Sequence, residues 1–202
     1  MSARKLDTEI RRDQIAEAAL QVIQTQGFKG FNMENIAGQV GLVPSAIYRH
    51  FKGKGAVLDA VLDLIQERLQ AIVAEARAAE TLPLDRLKSL LRRHVMLAQH
   101  TQAIPRVLFS DQVYFGNPVR KAKMFGILRG YLDAVAAIVR DGQQDGSIRS
   151  DLSADTLAAV FFGLFQPAAL LWHMSDGGFD MIKHIDRAWR VFCDGACPNR
   201  VD

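Results

Sequence analysis

An all-α chain is predicted, on three observations. Apolar residues recur at helical spacing through most of the 202 residues. No stretch alternates polar and apolar residues long enough to make a convincing strand. The strongest breakers, among them Gly27, Gly41, Gly53, Pro83 and the Gly177-Gly178 pair, fall where helical runs stop. With 49% hydrophobic residues the chain can bury a real core, as one larger domain or two small ones.

After a polar arm of about eight residues, Ile15, Ala18, Ala19, Val22 and Ile23 follow the i, i+3, i+4, i+7, i+8 spacing of an amphipathic helix. Gly27 should end it, and Phe28 and Phe31 in the link should plug a small core. Two short helices come next. Asn32 can cap the first, in which Ile36, Ala37 and Val40 share a face. Gly41 permits the left-handed backbone of a tight turn. Pro44 suits the first turn of the second helix, where a missing N–H costs nothing. There Ile47 and Phe51, four apart, face the core, and Ser45, Ala46, Tyr48, Arg49 and His50 are left outward. A short helix with a small, aromatic and basic outer face suits a DNA major groove. The net charge of +3 is too mild to show nucleic-acid binding by itself. Its placement adds something: His50 to Lys54 holds two lysines, one histidine and no acid.

A long helix is expected from Lys54 to about Ala79, with Val57, Leu58, Val61, Leu62, Ile65, Leu69, Ile72 and Val73 as its apolar positions; it would span roughly 35–40 Å. Pro83 opens another, to about His100. A short one runs from Ile104 to Asp111. Phe115 to Pro118 is a loop, and Val119 to about Asp145 a further helix. Ser153 is a fitting N-cap for the next, with Asp155 favoured by the helix dipole. Leu157 to Trp172 is apolar nearly all round, with Pro167 expected to kink it. At about 16 residues it is short for a membrane span, so other protein should cover it, either the rest of the monomer or a second copy. Phe179 to about Cys193 is the last helix, with Ile182, Ile185, Trp189 and Phe192 in one stripe. Two apolar helices side by side favour the second copy, since two such pairs make a four-helix bundle. The dimer is therefore expected through residues 153–193.

The segment from Arg12 to Leu58 resembles the TetR/AcrR family of bacterial one-component transcription regulators. Ile15, Ala18, Gly27, Ile36-Ala37, Gly41 and Tyr48-x-His50-Phe51-x-x-Lys54 carry the resemblance. The rest is similar in layout only. The resemblance implies a three-helix helix-turn-helix DNA-binding domain at 1–53 and a ligand-binding and dimerisation domain at 54–202. It implies a cytoplasmic homodimer on a palindromic operator, most often as a repressor. An inducer would bind in the C-terminal domain and move the long helix. It puts Tyr48, His50 and Lys54 on phosphates, Asn32 on phosphate at its helix start, and Ser45, Ala46 and Arg49 nearest the bases. The chain departs from the pattern at Val43, where Ser or Thr is usual, at Pro44, and at Gly55, where an acid is usual. These departures keep a second reading in view, a ligand-binding or scaffolding dimer with little specific DNA binding.

For the inducer, His94, Met96, His100, Phe109, Tyr114, Phe115, Phe165, Trp172 and His173 are pocket candidates. Ligand sites are mostly apolar with a few polar groups, and plain core packing is the other reading of the same set. A small apolar or aromatic ligand is favoured. Cys193 and Cys197 are i, i+4 and read as free thiols; His184, nine residues before Cys193, makes no metal pattern with them. Two cysteines fit a reducing cytosol. The N-terminus lacks the apolar core of a signal peptide, and no membrane association is expected. No nucleophile–base arrangement, phosphate loop, cofactor motif or metal set is present in the sequence, so no catalysis is expected.

Overall fold

The computed structural model of the chain describes residues 3–108, 110–115 and 117–198, with side chains from residue 8 onward. Among the described residues there are ten helices and no strand. They are α1 (Ala3–Gly30), α2 (Met33–Val40), α3 (Pro44–Tyr48), α4 (Lys54–Ala79), α5 (Pro83–His100), α6 (Ala103–Leu108), α7 (Asp111–Tyr114), α8 (Pro118–Gln144), α9 (Ala154–Met174) and α10 (Met181–Ala196). They group into two compact units. Met1–Arg68 with Thr101–Phe125 forms the first, and Leu69–His100 with Gly126–Asp202 the second. The division cuts α4 after Arg68 and α8 after Phe125.

In the first unit α1 packs on α2 and α6, and α2 on α3. Ile15, Ala19, Val22, Ile23, Phe31, Ile36, Ile47, Phe51, Val57, Val61 and Ile65 are buried together. Burying each large side chain is worth roughly 1.5–3 kcal/mol. The α2 caps are as the sequence implies. The Asn32 side chain accepts the Asn35 N–H at 2.8 Å, and Gly41 closes the helix in the left-handed region at φ 69°.

Three boundaries in the first unit differ from expectation. The first helix already starts at Ala3, taking in the expected polar arm, and runs on to Gly30 through a kink at Gly27 (φ 66°, ψ −171°). That backbone is open to glycine alone, so the chain turns there and still makes another helical turn. Just before the turn, Arg106 of α6 donates to two carbonyls of α1, at Ile23 (3.4 Å) and Gln24 (3.1 Å). The expected helix 104–111 is two short helices, α6 and α7, with the Ser110 N–H bonded to Val107 O at the junction.

In the second unit α5, α9 and α10 pack on one another. Leu87, Leu90, Val135, Ile138, Val139, Ala158, Phe161 and Phe192 are buried. The Trp189 and Phe192 rings stack at 5.6 Å, and Phe161 meets Phe192 edge-on at 6.0 Å. Ser153 accepts the Thr156 N–H at the start of α9. That helix has 21 residues, longer than its apolar stretch suggested, and by length and composition reaches what a membrane crossing needs. Yet Leu157, Ala158, Phe161, Phe165, Ala168 and Ala169 bury one of its faces in the unit. Its other face leaves Val160, Leu170, Leu171 and Met174 exposed.

The Gly27 geometry sets a test. Gly27→Ala should lower stability by about 1–3 kcal/mol, read by urea unfolding, although an added Cβ would meet nothing within 4 Å. An unchanged midpoint would mean that the kink is relaxed at no cost.

Candidate DNA-binding face and ligand core

The outward face of α3 rests on what lies beneath it. α3 has five residues, and Val43, its N-cap, makes no side-chain cap bond and is exposed. Pro44 leaves one fewer N–H to satisfy there. Ile47 is fully buried and Phe51, just beyond the helix, nearly so. The His50 and Phe51 N–H groups both bond Ile47 O, at 2.9 and 3.0 Å. Ser45, Tyr48 and Arg49 are exposed, and His50 is half-buried. Ala46 is not outward as the spacing suggested. It is buried beside Ile47, because a helix this short turns two consecutive residues toward its support. Arg49 and His50 lie in the turn after the helix, not within it.

Around this face sit two residues of α1 that the sequence reading did not single out. Arg12 donates to the His50 carbonyl at 2.6 Å and lays its guanidinium 4.2 Å from the Phe51 ring centre. Arg11, with Arg49 and Arg12, adds positive potential at His50. Burial, then these three arginines, lowers the His50 pKa below its ordinary value. Its Nδ1 is buried without a partner among the described residues. The available signal was the Arg11-Arg12 pair just ahead of the amphipathic run. Lys54 is exposed at the start of α4, with Nζ 5.2 Å from the Phe31 ring. Asn32 is half-buried, its side-chain oxygen committed to the α2 cap. The face thus collects guanidinium, ammonium, phenol and amide donors, the groups that hold phosphates and read base edges.

The pocket candidates divide. His94 and Phe165 come together in the second unit, 4.9 Å between ring centres. Tyr131, missed in the sequence because it sits in an ordinary helical stripe, joins them. Its hydroxyl lies 2.6 Å from His94 Nε2, and its ring 5.6 Å from that of Phe162. This polar pair is buried among aromatic rings. Burial lowers the His94 pKa to about 4 and raises that of Tyr131 well above its ordinary value. Trp172 and His173, at the end of α9, are half-buried. His100 is exposed, its ring nitrogen 2.7 Å from Met96 O, and Met96 is exposed too. Tyr114 and the exposed Phe115 belong to the first unit. Phe109 lies outside the described residues. The free thiols of Cys193 and Cys197 are half-buried; burial and the neighbouring Cys197 push Cys193 up to about 12, far from a reactive thiolate.

Comparison with known proteins fits this arrangement. Residues 15–61 match the model of the tetR family of bacterial regulatory proteins. Residues 64–195 match the C-terminal region of YsiA-like proteins. The chain belongs to the TetR family. It is a transcriptional regulator. Among relatives of this TetR-family chain, the fatty acid metabolism regulator protein of Bacillus subtilis is 27% identical over 175 residues, 84% of this chain and 87% of the relative. The fold is shared with the fatty acid degradation regulator FadR of Bacillus halodurans, at TM-score 0.78 and 24% identity over 91% of this chain and 95% of that one. It is shared too with FadR of Bacillus subtilis in complex with stearoyl-CoA, at TM-score 0.76 and 23% identity over 90% and 97%.

The buried histidine makes stability depend on pH. An unfolded histidine ionises near 6.5, whereas folded His94 stays neutral down to about 4. The unfolded chain therefore binds an extra proton between those values, and stability falls as pH drops from about 6.5 toward 4. By pH 4.5 the loss from this group should be about 2–3 kcal/mol. His94→Leu should flatten the urea-midpoint difference between pH 7 and pH 4.5 by that amount, whatever it does to stability at pH 7. An unchanged difference would place the titration elsewhere.

Proposed function

We propose that this TetR-family regulator is a dimeric repressor that grips a palindromic operator and lets go when a fatty acyl ligand enters its second unit. The observation that carries the reading is the outward set Ser45, Tyr48 and Arg49, with His50 and Lys54 beside it, on a support of buried Ile47 and Phe51. Ser45 and Arg49 approach base edges. Asn32, Tyr48, His50 and Lys54 hold phosphates. Ala46 lines the support instead of the groove. Two such faces, one per subunit, read half-sites in successive major grooves. The protein works in the cytoplasm, on the chromosome.

The dimer forms through α9 and α10. Val160, Leu170, Leu171 and Met174 are exposed along one side of α9, and Ile182 and Val191 are exposed on α10. An apolar stripe of this kind calls for a partner. As ligand, a long apolar chain with one polar function suits a second unit whose core is aromatic and aliphatic around a single buried His94–Tyr131 pair. The stearoyl-CoA in the Bacillus subtilis FadR structure supports the same class. His94 and Phe165 are its nearest candidates for contact, with Trp172 and His173 further along α9; His100 and Tyr114 fit less well.

A gel shift on the DNA flanking the regulator's own gene tests this. A specific complex should form, weaken steeply with salt, and dissociate on adding lauroyl- or stearoyl-CoA. No preference over random DNA would favour a scaffolding dimer. Arg49→Ala should relax discrimination at one base pair by about 1–3 kcal/mol. Lys54→Ala should weaken all sequences alike and flatten the salt slope by about one. Identical behaviour of the two variants would refute this division of roles. In sedimentation, Leu171→Asp should shift the protein from dimer toward monomer.

A further inference from the structure

Arg120 is a charged side chain about nine-tenths buried, in the first turn of α8. Its guanidinium reaches two other helices. Nε donates to the Asp59 carboxylate at 2.8 Å and Nη2 to the Gly55 carbonyl at 3.2 Å, both in the first turns of α4. Nη1 donates to the Gln112 carbonyl of α7 at 3.3 Å. One turn on, Lys123 repeats the attachment: its Nζ lies 2.8 Å from Asp59 O and 2.6 Å from the Asp63 carboxylate. A buried guanidinium is tolerated only when its donors are satisfied, and its planar fork fixes the partners it joins.

Gly55 is the second observation. It is the second residue of α4, and its φ lies outside the left-handed region, so the backbone itself does not call for glycine there. A Cβ at position 55 would lie 3.2 Å from Arg120 Nη2, closer than such contacts normally run, and Nη2 is pinned. The absent side chain makes room for the guanidinium. Lys54 is the residue before it, at the start of the same helix.

We propose that Arg120 is a positioning residue for DNA binding: a latch that holds the first turn of α4, and with it Lys54, in the place where it meets the operator. The latch touches no DNA. It acts through the backbone at Gly55 and the carboxylate of Asp59. α8, which supplies Arg120 and Lys123, continues beyond the first unit. The proposal rests on the DNA-binding reading above, and it has one consequence independent of that reading, the order of the α4 start.

The test uses the full chain with Arg120→Met, Arg120→Lys, Gly55→Ala and the Arg120→Met/Gly55→Ala double variant. Operator-fragment affinity, hydrogen exchange and thermal melting are measured on each. Arg120→Met should weaken the specific complex about tenfold at a temperature well below its melting point, within the range for residues that touch neither ligand. It should also speed amide exchange at residues 56–60 without speeding it in α5 or α10. Arg120→Lys, which keeps the charge beside Asp59, should recover part of the affinity. Gly55→Ala should weaken binding while Arg120 is present and leave it unchanged once Arg120 is methionine, a sign of direct coupling. Wild-type affinity in Arg120→Met, or the same loss from Gly55→Ala in both backgrounds, overturns the latch. If wild-type protein selects no fragment over random DNA, the DNA-binding reading fails by itself. The latch then stands or falls on the exchange of residues 56–60, where wild-type rates in Arg120→Met refute it.

Discussion

A helix of five residues has no stability of its own in water, because nucleating a helix costs more than one turn returns. α3 exists because Ile47 and Phe51 are buried under it and because Arg12 holds the His50 carbonyl and lies over the Phe51 ring. The outward set proposed to meet DNA depends on that anchorage. Tyr48 and Arg49 are free to face solvent because their neighbours in sequence are not. The Val43 carbonyl accepts the Ala46 N–H at 2.9 Å, but its side chain caps nothing, so the burden falls more heavily on the C-terminal side.

The same division between support and face explains what was legible in the sequence. α4 was readable to its end residues, since its apolar period is unbroken and Gly53 and Pro83 bracket it. The cap at Asn32 and the turn at Gly41 were readable from residue type alone. Local rules could not reach Arg12 or Arg120. Both matter through partners 38 and 61 residues distant, and an isolated arginine in a polar stripe carries no mark of its partner. Ala46 was misplaced because helical spacing is a weak guide over five residues. Tyr131 was passed over because its role needs His94 beside it, from another helix. The pocket candidates share residue type but not location, since the described ones fall in two different units.

The second unit shows a different economy. Its core is apolar and aromatic except for His94 and Tyr131, which satisfy one another across 2.6 Å. A lone buried imidazole or phenol would carry the full penalty of an unmet hydrogen bond, so each makes the other tolerable. Such a pair fixes how α5 and α8 sit against each other more narrowly than apolar packing does, since it has a preferred distance and direction. It also offers a place in that core where an incoming polar atom could exchange partners.

The kink at Gly27 has a consequence for anyone who would cut this protein apart. Just before that turn Arg106, some eighty residues further along the chain, donates to two carbonyls of α1. The compact unit that carries the helix-turn-helix is not one contiguous piece of chain. A graft that moved residues 1–53 onto another regulator would leave Arg106 and Arg120 behind, and with them the closure of α1 and the seat of α4. That unit is the chain to Arg68 together with Thr101–Phe125, joined at breaks inside α4 and α8. Chimeric sensors assembled at the loops between helices would divide what the fold treats as one body.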